Sequence, residues 1–94
     1  MNYIVSVAFR PLPGKRDIIA TLIKHMLEQT RKFDGCVQAH LCHETSQNDV
    51  VIWHMWENQA AFEAYLDARA ERGELHVFND FLADEQIMQT YNVL

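Results

Sequence analysis

Two hydrophobic periods alternate along the chain. Tyr3–Phe9 is apolar except for Ser6, the pattern of a strand covered on both faces. Pro11-Leu12-Pro13-Gly14 ends it, because two prolines and a glycine cannot continue a ladder. From Lys15 to Phe33 the period changes. Ile18, Ile19, Leu22, Ile23, Met26, Leu27 and Phe33 recur at three- and four-residue steps, which predicts a helix closed by Asp34-Gly35. Cys36–Glu44 alternates again, with Val37, Ala39, Leu41 and His43 on one face and Cys36, Gln38, His40, Cys42 and Glu44 on the other. A polar turn leads to a third strand, Val50–Trp56. Val50, Ile52, His54 and Trp56 share one of its faces, and Val51, Trp53 and Met55 the other. Asn58 is a natural N-cap for a second helix, whose inner stripe is Ala61, Phe62, Tyr65, Leu66 and Arg69. Leu75, Phe78, Phe81 and Leu82 continue at helical spacing, and Gln86–Val93 forms a last strand.

The order is strand, helix, strand, strand, helix, strand. That is the split βαβ arrangement of ferredoxin-like α+β folds, an antiparallel sheet with helices on one face. Residues 1–94 form a single domain, with no internal repeat or linker. The third strand is rich in large apolar groups on both faces. Two helices can cover one face, so the other calls for a partner, and a second copy's sheet is the obvious cover.

Composition supports this. A chain of 94 residues builds only a thin core, yet 49% of it is hydrophobic. The balance of 8 basic to 13 acidic residues, with the basic ones scattered, excludes a nucleic-acid footprint and gives no anionic-membrane patch. No apolar run is long enough to span a bilayer. Cys36 and Cys42 lie six positions apart on one strand, roughly 20 Å and beyond disulfide reach. Free thiols, and a start that reads as a strand rather than a leader, predict a cytoplasmic protein.

Several segments together are similar to a known family. They are Pro13-Gly14-Lys15 opening a helix, Phe33-Asp34-Gly35-Cys36 entering strand two, and Val51-Ile52-Trp53-His54-Met55-Trp56-Glu57 leading into Gln59-Ala60-Ala61-Phe62-Glu63-Ala64-Tyr65-Leu66. This arrangement resembles the antibiotic biosynthesis monooxygenase family of dimeric α+β barrels. The resemblance implies a homodimer of packed sheets with one pocket per subunit. It also implies a small-molecule aromatic substrate and cofactor-free oxygen chemistry, haem degradation or sugar-phosphate isomerisation. The chain departs from the family at named positions. His54 stands where glutamate is usual, Tyr65 where the helix histidine is usual, and Ala39 where a tyrosine is common. Ile52 and Phe62 replace the asparagine and tyrosine of the polyketide-oxidising branch, and Val7 replaces the strand-one asparagine of the haem-degrading branch.

The candidate site follows from the strand-three parity. His54 is the candidate acid/base, since imidazole exchanges a proton near neutral pH. Tyr65 and His76 are its candidate polar partners, His76 also serving the haem alternative as an axial ligand. Trp56 and Phe62 would wall the pocket, with Ile52, Val7 and Leu41 completing it. The plainer alternative for each is core packing, with a hydrogen-bonded buried histidine. His40, Cys42 and His43 do not make a metal site, because strand alternation points His43 away from the other two. The chemistry expected is a cofactor-independent monooxygenation of a small aromatic, polyketide or quinol-like compound. The alternatives are a haem-binding or haem-degrading protein and a non-catalytic ligand-binding dimer. No metal and no cofactor are assigned.

Overall fold

A computed structural model describes residues 1–45, 47–74 and 77–94. Its elements are β1 (Tyr3–Phe9), α1 (Arg16–Thr30), β2 (Cys36–His43), β3 (Val50–Trp56), α2 (Gln59–Glu71), a 3-10 turn at Asn79–Phe81, and β4 (Ile87–Asn92). The four strands form one sheet in the order β2-β3-β1-β4, with every neighbouring pair antiparallel. This is the expected ferredoxin-like α+β fold. No described helix is long and apolar enough to cross a membrane.

Both helices lie on the face of the sheet that carries Val50, Ile52, His54 and Trp56. α1 packs Ile19, Ile23 and Leu27 against Phe9, Ala39, Val50 and Ile52. α2 packs Phe62 and Tyr65 against Tyr3, Val5 and Trp56. The inner stripe of α1 is narrower than its sequence suggests. Ile18 and Leu22 are exposed, because each sits about 100° around the helix from the buried Ile19 and Ile23. The helix ends at Thr30, with Arg31 as its cap, rather than at Phe33. Beyond it, Lys32 and Phe33 donate backward by three residues, to Gln29 and Thr30, so the chain tightens and leaves the helix axis.

Two further expectations are corrected. A bulge at Val37 sets Cys36 opposite Trp56 and Gln38 opposite Met55. Cys36 therefore joins the helix-facing core, and Val37, expected on the same face as Ala39 and Leu41, is 45% exposed. Of the helical stretch expected over Leu75–Leu82, the described part forms only the short 3-10 turn, and Leu75 lies outside the described residues. Leu12 and Ala83 draw this segment against the end of β1 by backbone bonds to Phe81 and Arg10. Phe78 is thereby buried edge-on against Phe9.

Gly35 is not the cap of α1 but the pivot between β2 and α2. Its φ is +89°, and a Cβ added there would lie 2.5 Å from the Ala61 Cβ. Its carbonyl also accepts from the Glu57 amide. Gly35→Ala is expected to lower stability by about 1–3 kcal/mol, from the left-handed backbone together with the clash. Urea unfolding measures this, and a loss within experimental error would contradict the close approach. At the far end of the pivot, the Asn58 side chain accepts from the Ala61 amide at 2.9 Å and starts α2 as its sequence predicts.

Among the described residues, no helix covers the opposite face of the sheet. Val51, Trp53 and Met55 are half-buried there beside Ile4 and Ala8 of β1. His40 stacks on Trp53 with ring centroids 6.0 Å apart. Ile87 and Tyr91 of β4, across from Ala8 and Ile4, are exposed. β4 is held to the sheet by its ladder with β1, and all its residues are exposed.

Candidate functional site

The two core clusters meet at a small cavity between the sheet and the helices. β1 contributes Val7 and Phe9, β3 contributes Ile52 and His54, and α1 contributes Met26. α2 contributes Phe62, Tyr65, Leu66 and Arg69. Phe78, Gln86 and Met88 close it from the C-terminal segment. Its free volume is about 50 Å³, which holds a few waters and is well short of a bound aromatic compound.

His54 sits at the centre of this arrangement. It is 4% exposed and lies between Val5 on β1 and Ala39 on β2. The small Ala39 side chain leaves the imidazole room across the ladder. Trp56, two residues on and on the same face, donates its indole Nε1–H to His54 Nδ1. An indole nitrogen only donates, so Nδ1 is unprotonated and the ring proton is on Nε2. Burial pushes the imidazole pKa down from 6.5 to about 4, and the charge of Arg69 pushes in the same direction. His54 is therefore neutral at pH 7. With one nitrogen engaged by Trp56, it offers an N–H donor through the other.

Trp56 itself is fully buried and does not line the cavity. Its ring lies 4.8 Å from that of Tyr65 and edge-on to that of Phe33, so it stands behind His54 as a support. Leu41, expected on the wall, packs instead against the α1 cluster. Ile52, Val7 and Phe62 do line the cavity. So does Tyr65, but its hydroxyl is 2.8 Å from Thr30 Oγ1, and Thr30 in turn donates to the Met26 carbonyl. Thr30 has only one proton to give, so Tyr65 donates to Thr30 and ties α2 to α1. His76 lies outside the described residues.

Arg69 also lines the cavity, although the sequence marks it only as a member of the α2 stripe. It follows Tyr65 by four residues and Phe62 by seven, on the inner stripe of α2. Its side chain is only 12% exposed, and its guanidinium lies 5.7 Å from the Tyr65 ring centroid.

Other clusters offer less. Among the described residues, no group of three or more His, Cys, Asp or Glu could hold a metal ion. His40 is engaged by Trp53 and Gln38, and His43 lies against Arg16. Cys36 and Cys42 are free thiols, and burial pushes the Cys36 thiol up, away from a reactive thiolate.

Comparison with known proteins agrees with this architecture. A family model described as antibiotic biosynthesis monooxygenase matches residues 2–72. Among solved structures, Rv0793 from Mycobacterium tuberculosis superposes with a TM-score of 0.89 at 18% identity, covering 100% of this chain and 96% of that one. A conserved protein from Methanosarcina mazei Go1 gives 0.87 at 16% identity, covering 97% and 91%. A structure described as an antibiotic biosynthesis monooxygenase gives 0.83 at 16% identity, covering 100% and 99%. At such identities these structures share the fold alone. The comparison with curated proteins finds no match. The family match runs from the start of β1 to the end of α2 and so includes β3, which carries His54 and Trp56, and α2, which carries Tyr65; the chain belongs to the antibiotic biosynthesis monooxygenase family.

Proposed function

We propose that this chain is a homodimeric monooxygenase acting on a small aromatic hydroxy compound, held between the sheet and the two helices. The observation that carries this reading is the neutral, Trp56-anchored His54 in a mostly apolar cavity. A phenol or hydroquinone presents a flat apolar body to Phe62, Ile52 and Val7 and an oxygen to the imidazole. The substrate hydroxyl gives its proton to solvent, the Nε2–H donor stabilises the negative charge left on the oxygen, and the electron-rich ring then passes electrons to O2. His54 then acts as a donor rather than as the base its residue type first suggests. In the overall reaction, two hydrogens of the substrate reduce one oxygen atom to water while the other joins the carbon skeleton. The substrate supplies the electrons, so the reading invokes no cofactor.

The helix-free sheet face, with Trp53, Met55 and the exposed Ile87 and Tyr91, supports pairing with a second copy. Dimerisation is also common in the family. The limited free volume means that a substrate must displace Met26, Met88 or Leu66, of which the unbranched methionines move most easily. The same volume favours, as a second reading, a non-catalytic dimer that binds a small metabolite. It disfavours haem, which needs a wide cleft.

Oxygen uptake with a panel of hydroquinones and hydroxylated polycyclic aromatics, followed by product analysis, distinguishes them. The expected result is turnover that falls about 100-fold in His54→Ala, the scale of losing one preorganised donor. Binding without oxygen uptake selects the non-catalytic reading. Uptake unchanged in His54→Ala removes His54 from the chemistry.

A further inference from the structure

Among the described lining residues of the cavity, Arg69 is the one whose side chain carries a charge at neutral pH. His54 is neutral, the Tyr65 hydroxyl is spent on Thr30, and Gln86 is the remaining polar group. A guanidinium this far buried normally has its donors matched. Here the match is incomplete. Nη2 donates to the Glu74 carbonyl at 3.0 Å, but Nε is buried and has no hydrogen-bond partner among the described residues. The acid nearest to it, Glu74, keeps its Oε2 3.9 Å from Nε, too long for a hydrogen bond. The other carboxylate oxygen of Glu74 is 3.1 Å from Arg72. Arg69 is thus a buried cation whose counter-ion is shared and badly placed, on the wall of a cavity that also holds the neutral N–H donor of His54.

An arrangement of donors without a matching acceptor fits an anion. We propose that Arg69 is the specificity-determining residue of this cavity and that its ligand carries an ionised oxygen, a phenolate, enolate or carboxylate, on an apolar body. The inference rests on the cavity being the ligand site, as proposed above, and names the class of ligand it takes. A weakly acidic hydroxyl that enters the cavity loses its proton to solvent, and the resulting oxyanion accepts from Arg69. For an oxygenase this step produces the electron-rich form of the substrate without a protein base. It thereby accounts for a site whose histidine is held in its donor tautomer.

The test uses 4-nitrophenol, whose phenolate absorbs visible light, and its uncharged methyl ether, 4-nitroanisole. The full-length protein is titrated with each across pH. The expected result is that bound 4-nitrophenol ionises about one pH unit or more below the free compound. The ether is expected to bind at least tenfold more weakly than the phenolate. Arg69→Met should abolish both the shift and the preference, while Arg69→Lys, which keeps a charge, should retain part of each. A purely structural Arg69 would alter stability in both variants and leave the ionisation of the bound phenol unmoved. Binding of phenol and ether alike, with no shift, overturns the Arg69 assignment and leaves the cavity as the ligand site. Failure of both compounds to bind overturns the two readings together.

Discussion

Lowering the pH from 7 to 4 is expected to remove about 3 kcal/mol of folding stability through His54 alone. In the unfolded chain the imidazole takes up its proton near 6.5, whereas in the fold it stays neutral down to about 4. Between those values the unfolded state binds more protons, so stability rises with pH. The contribution is fully present above 6.5, declines as the pH falls toward 4, and levels off below that. Carboxylates titrate in part of the same window, so the measurement is a comparison. Urea unfolding of the parent and of His54→Gln, followed from pH 7.5 to 3.5, isolates the histidine. Glutamine keeps an acceptor for the Trp56 indole and cannot be charged. The parent should lose about 3 kcal/mol more than the variant over this range. Parallel profiles would mean that the imidazole is not held neutral in the fold.

The second large effect concerns the uncovered face of the sheet. Trp53→Glu is expected to convert the protein from a species of twice the chain mass to one of 11.0 kDa in sedimentation or light scattering. Trp53 lies mid-strand, opposite Ser6 on one side and His40 on the other, at the centre of that face. A carboxylate there would have to be desolvated against its own symmetry mate in a face-to-face pair of sheets. Because the side chain points away from both helices, the change spares the cavity. A variant that keeps the doubled mass places the interface elsewhere. A parent that already runs as a monomer removes the dimer from the proposal.

The fold was legible because each strand and helix has its own period. β3 is the clearest case. Its period of two assigns Val50, Ile52, His54 and Trp56 to one face, and the structure puts both helices on that face. Misreadings arose where one residue changes the phase or one contact overrides propensity. The bulge at Val37 exchanges the faces of Cys36 and Val37, and nothing in the local composition announces it. The last residue of the first helix, Thr30, is buried against the Tyr65 hydroxyl, a partner that only the tertiary structure supplies.

The site was legible in part for the same reason. Parity placed His54 and Trp56 side by side but could not say that the indole takes the imidazole lone pair, which changes the role of the histidine. Arg69 stood in the sequence as one member of an apolar stripe. A long cationic side chain in that position usually reaches past the stripe to solvent. Only its 12% exposure and its unmatched Nε distinguish it from that common case. Met88 and Gln86 were out of reach, because their place on the wall depends on how the segment after α2 crosses the sheet.

That crossing divides the work of the chain. The floor of the cavity, with His54 and Arg69, belongs to β1, β3 and α2, within the stretch that the family model matches. Phe78, Gln86 and Met88 form the outer wall, and they come after that stretch ends at residue 72. Substitutions in that short C-terminal segment can therefore reshape the outer wall while leaving His54 and Arg69 in place. The hydrogen-bonded floor need not be rebuilt each time.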